Sequence, residues 1–153
     1  MSTWSEFLKD NDFLSVKKMI KDGADVNETN ESGESVLARA MKSRCDIDLV
    51  MLLVESGADI YDFDDEGVSV FDMAVTYNMI EMVEYMIEQG IDVNFTRRRS
   101  RFTPLMAAAS YGRVEIARLL IENGADKDMT DEKGFSATDF ARKMNKKSVL
   151  TVL

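Results

Sequence analysis

Apolar residues in this chain fall in short runs at helical spacing, and the runs come in pairs. The clearest pair lies in Thr103 to Asp126, TPLMAAASYGRVEIARLLIENGAD, which reads as two short helices back to back with a glycine stop. Weaker copies flank it. Gly23, Gly57, Gly90 and Gly124 each close a GAD or GID phrase, at intervals of 34, 33 and 34 residues. A period in that range is the signature of a stacked repeat array, in which each unit buries its apolar face against its neighbours. The pattern predicts an all-α solenoid of helix-turn-helix units with β-turn tips, four to five units in one domain spanning 1–153. The expected divisions are 2–30, 31–64, 65–97, 98–130 and 131–153, the outer two being degenerate caps.

Taken in order, the first unit places Phe7, Leu8, Phe13, Val16, Met19 and Ile20 at helical spacing around Asn11-Asp12. Its polar residues Lys9, Asp10, Lys17, Lys18 and Lys21 suit a terminal unit, and Trp4 is expected to cover the edge of the core. The second unit predicts helices over Ser35–Ser43 and Asp46–Glu55, each opened by a residue whose side-chain oxygen can satisfy free backbone N–H groups. Its inter-helix loop is one residue longer than the later ones and holds Cys45, a thiol whose pKa Arg44 could lower if it were exposed, but which reads better as incidental. The third unit predicts helices over Ser69–Thr76 and Met79–Glu88, with Met79, Met82 and Met86 as core filling. The fifth, FSATDFARKMNKKSVLTVL, predicts two shorter helices and a polar close at Lys143, Lys146 and Lys147.

The fourth unit resembles the ankyrin repeat. Thr103-Pro104-Leu105 stands where that family has its TPLH phrase, with Met106 for histidine; Ala107-Ala108-Ala109, Tyr111-Gly112, Glu115-Ile116, Leu119-Leu120 and Gly124-Ala125-Asp126 follow. Thr103 can cap the first helix and Pro104 suits its first turn, where no donor is needed. SVFDMA with EYMIEQGID and SVLARA with MLLVESGAD extend the likeness over nearly the whole chain. There are departures: no unit has the family's histidine, one alone has the proline, and the turn before the fourth unit is a residue longer, with Ser100-Arg101 in place of glycine.

The resemblance implies a non-catalytic module that binds another protein through its turn tips and first helices, on a concave side. By register those positions include Phe63, Asp65 and Glu66 in tip three, Arg98, Arg99, Arg101 and Phe102 in tip four, and Phe135 in tip five; Lys42, Tyr77, Tyr111 and Lys143 are expected on the same side. Aromatic and arginine side chains most often anchor interfaces. Small bacterial members of the family act as accessories of single enzymes, haem enzymes among them, so an accessory or chaperone role is the alternative. A reader of acidic or phosphorylated segments is another.

Charge changes this picture. The net charge of -9 argues against nucleic acid as a partner, yet residues 97–153 carry a balance of +5 and residues 1–96 one of -14. Tips three and four oppose each other: Asp62, Asp64, Asp65 and Glu66 crowd one, Arg97, Arg98, Arg99 and Arg101 the other. Either they neutralise each other as exposed ion pairs, or the arginines stay available for an acidic partner. The rest is exclusion. Asp62-x-Asp64-x-Glu66-Gly67 begins like a calcium loop, but its twelfth position is Met73 rather than a bidentate glutamate. With no histidine and a single cysteine, no metal site, cofactor or catalytic group is expected. No secretion signal or run of about 18 apolar residues appears, so a monomer in the cytoplasm, away from membranes, is the expectation.

Overall fold

The computed structural model describes residues 4–153, so the start of the unit expected at 2–30 lies outside the described residues. Among the described residues ten helices follow in pairs: α1 (Trp4–Lys9) with α2 (Phe13–Lys21), α3 (Val36–Lys42) with α4 (Ile47–Glu55), and α5 (Val70–Thr76) with α6 (Ile80–Glu88). The series ends with α7 (Pro104–Tyr111) and α8 (Val114–Glu122), then α9 (Ala137–Lys143) and α10 (Lys147–Leu150). First helices pack in the row α1, α3, α5, α7, α9, and among the second helices α2 packs on α4, α6 on α8 and α8 on α10. This is the solenoid that the period predicts.

Local chemistry fixes each helix start. Ser35, Ser69, Thr103 and Ser136 cap the first helices of units two to five by accepting from the N–H three residues on. Such a cap contributes about 1 kcal/mol. Gly124, at φ +97°, closes α8 in a left-handed conformation and lets the Ala125 N–H reach back to the Leu120 carbonyl at 2.9 Å. Where a helix end faces a neighbour, the neighbour supplies a partner: Arg113 donates through Nε and Nη2 to the Thr76 carbonyl at 3.1 and 2.7 Å. Small residues in α7 allow close approach, and Ala107, Ala108 and Ala109 are fully buried.

The core runs unbroken from Trp4 and Leu8 to Ala141 and Val149. Each fully buried leucine, such as Leu53 or Leu120, stabilises the stack by about 2 kcal/mol through apolar burial. Trp4 is buried and belongs to that core, as expected of an edge cover. Cys45 is buried too. Its Sγ–H donates to the Leu8 carbonyl at 3.0 Å, and burial pushes its pKa up to about 11. Arg44 does not activate it; that guanidinium lies 5.4 Å from the Tyr77 ring centre instead.

Candidate partner-binding surface

Three tips share one design. Asn30, Asp64 and Asp131 open the turns, and each side-chain oxygen accepts two backbone N–H groups across the turn. A short antiparallel bridge closes each tip, pairing Thr29 with Ser35, Phe63 with Ser69 and Thr130 with Ser136. Tip four departs from this. Its opening position is Arg98, which cannot accept, and among the described residues no bridge forms there. The reverse turn survives through the Arg101 N–H to the Arg98 carbonyl, 2.9 Å, with Arg101 itself at φ +61° in the place glycine holds elsewhere.

Arg98 has a different task from the one its sequence position suggests. Its Nε lies 3.6 Å from Oδ2 of Asp72, whose side chain is 1% exposed, and its own side chain is only 22% exposed. Asp72 stands in α5 where the family has its histidine, and it also accepts from the Ser69 N–H at 3.1 Å to complete a capping box. Burial raises the Asp72 pKa, while Arg98 pulls it back. Asp139 makes the same cap in the first turn of α9, and there the Ser136 hydrogen bonds lower its pKa, outweighing the opposing effect of burial. The two departures from the repeat, an acid for histidine and an arginine for the turn residue, therefore compensate each other across neighbouring units.

The remaining expected positions separate into groups. Phe102 and Phe135 are half-buried and both meet Phe140, at 5.1 and 6.2 Å between ring centres. Arg98 lies 5.0 Å from Phe102, and Lys143 lies 4.2 Å from Phe135, so the aromatic row is covered by cations. Asp65, Glu66, Arg99 and Arg101 are exposed. Tyr77 and Tyr111 differ in register from Lys42 and Lys143. They stand eight residues after their caps, Ser69 and Thr103, whereas the lysines stand seven after Ser35 and Ser136. One residue turns the side chain by about 100°. Lys42 reaches Glu34 of its tip at 3.2 Å, while Tyr111 borders a depression at the far end with Asn145, Lys146 and Val149.

The charge opposition of tips three and four does not resolve into ion pairs. Among the described residues no arginine of 97–101 pairs with Asp62, Asp64, Asp65 or Glu66, and the acid that Arg98 meets is Asp72. Phe140 and Asp72 escaped sequence reasoning, although the Ser69-x-x-Asp72 capping spacing was a visible signal.

With this geometry in place, the comparisons agree with it. The family model for ankyrin repeats (3 copies) matches residues 7–97, and that for ankyrin repeats (many copies) matches 86–141. The chain belongs to the ankyrin repeat family, whose members generally serve as non-catalytic protein–protein interaction modules. It is similar to the nuclear factor NF-kappa-B p105 subunit of Gallus gallus, 34% identical over 95 residues, which is 61% of this chain. The match spans 10% of that much longer relative. Among the described residues, no helix is long and apolar enough to cross a membrane.

Proposed function

We propose that this protein captures another protein, as a monomer in the cytoplasm, through the face made by its tips and first helices. The observation that carries this is the row of Phe102, Phe140 and Phe135 in the two units next to the tip that holds Arg99 and Arg101, two exposed arginines that form no ion pair among the described residues. Aromatic groups supply apolar contact, and a free guanidinium grips a carboxylate or phosphate with two parallel N–H donors. An acidic or phosphorylated segment is thus the partner chemistry that this face favours. Arg98, being held by Asp72, supports the face without being free to grip.

The test is affinity capture from the native lysate with wild type and with the Arg99→Glu/Arg101→Glu variant. One enriched protein, lost in the variant while its melting temperature stays within about 2 °C, is expected, since exposed substitutions change stability by about 0.5 kcal/mol or less. Equal capture by both forms would refute the arginine role. Identification of the captured chain also reads out whether the protein is an accessory of an enzyme.

A further inference from the structure

An asparagine clamp and a tip-to-tip hydrogen bond join the stack at two junctions, and both are missing, among the described residues, at the one between them. At the junction of tips two and three, Asn27 donates to the Gly57 carbonyl (3.0 Å) and accepts from the Asp59 N–H (2.8 Å), and the Asp65 N–H reaches the Ser32 carbonyl (3.1 Å). At the junction of tips four and five, Asn94 does the same to Gly124 and Asp126, and the Glu132 N–H reaches the Ser100 carbonyl (2.8 Å). Between tips three and four the equivalent position is Tyr61. Its hydroxyl donates to the Gln89 carbonyl at 3.2 Å, and among the described residues neither the clamp nor the tip bond forms.

A cavity of about 270 Å³ opens there, lined by Ile60, Phe71, Ile91 and the aromatic rings of Tyr61, Phe63 and Phe95. Those three residues are 57%, 41% and 56% exposed, half of the exposed large hydrophobic residues among those described, gathered at one junction. Arg97 completes the rim. Its guanidinium carbon lies 4.2 Å from the Phe63 ring centre and 5.3 Å from that of Phe95, and among the described residues no carboxylate forms an ion pair with it. The one acid on the wall, Asp92, accepts from the Asn94 N–H at 2.9 Å. Stacking uses the faces of a guanidinium and leaves its N–H donors, which lie in the plane, directed outward.

We propose that this junction is a binding pocket for an apolar side chain that has a carboxylate next to it, supplied by a partner protein. The proposal rests on the protein-binding reading above but places the anchor at Tyr61, Phe95 and Arg97, outside the row of first helices. The cavity suits one phenylalanine or leucine side chain, and the Arg97 fork suits the adjacent aspartate or glutamate. Exposed rings, around a cation that borders the acids of tip three but forms no ion pair among the described residues, make a surface complementary to that pair.

The test is an NMR titration of the ¹⁵N-labelled protein with the blocked peptide acetyl-Glu-Phe-amide, compared with acetyl-Gln-Phe-amide and acetyl-Glu-Ala-amide. Saturable shifts are expected at Tyr61, Phe95, Thr96 and Arg97, with affinity about tenfold weaker when either peptide feature is removed. Arg97→Met should erase the preference for Glu over Gln while keeping the dispersed spectrum of a folded chain. Equal affinity for the three peptides, or no saturable shift at the junction, would overturn the pocket. Saturable shifts confined to Phe102, Phe140 and Lys143 would also overturn it, while leaving the wider protein-binding reading intact.

Discussion

Arg98→Met is expected to destabilise the protein by about 2–3 kcal/mol at neutral pH, and adding Asp72→Asn is expected to restore most of that loss. Removing one partner of a buried charge pair costs about 3–5 kcal/mol, because the remaining charge is left desolvated. The lower figure applies here because Arg98 keeps some contact with water and the pair is 3.6 Å apart. Burial holds the Asp72 pKa above the ordinary carboxylate value. An acid raised in the folded state contributes stability that is fully present below its unfolded pKa and is lost as pH rises through its folded pKa. Without Arg98 the folded value moves higher still, so the variant's deficit should be largest at neutral pH and shrink as the pH falls. Urea melts of the four members of the cycle at two pH values measure this. A deficit independent of pH, or one that Asp72→Asn leaves untouched, would show that Arg98 acts through its packing on Phe102 instead.

Gly67→Ala should cost about 3 kcal/mol, against about 1 kcal/mol for Gly134→Ala. Both glycines have left-handed backbones, at φ +80° and +84°, so both substitutions carry the same conformational penalty. They differ in what surrounds them. A β-carbon on Gly67 would stand 2.4 Å from the Arg97 carbonyl oxygen, whereas one on Gly134 would meet nothing within 4 Å. The obstruction is backbone, which cannot swing aside as a side chain can. The Gly67 variant should therefore also push tips three and four apart and speed amide exchange around Arg97 and Arg98. Equal costs at the two positions would mean that the tips give way freely.

The fold was legible because its signals are local and repeated. Ser35, Asp46, Ser69 and Thr103 announce helix starts by their own chemistry, and the glycine phrases mark the ends at a constant interval. The surface was less so, for reasons of register. Tip four contains one extra residue, so counting from the neighbouring tips makes Arg98 look like one more exposed arginine, when its side chain turns in to Asp72. Tyr77 and Tyr111 looked aligned with Lys42 and Lys143 because all four end a first helix, yet a single residue of offset turns their side chains by about 100°. Phe102 and Phe135 have most of one side taken by Phe140, a contact between units that no local pattern encodes. The open junction had a readable trace, since Tyr61 interrupts the otherwise matching Asn27 and Asn94.

Trp4 is the only tryptophan in the chain, and it is buried in the first helix pair. Its emission is consequently a local gauge: it responds when α1 parts from α3, whatever α9 and α10 are doing. Ellipticity averages over every helix. In a linear array, where each unit is held by its immediate neighbours, α1 and α2 pack, among the described residues, against α3 and α4. Heating followed by emission should thus give a midpoint below that of ellipticity, and the gap between the two curves measures how strongly one repeat is coupled to the next.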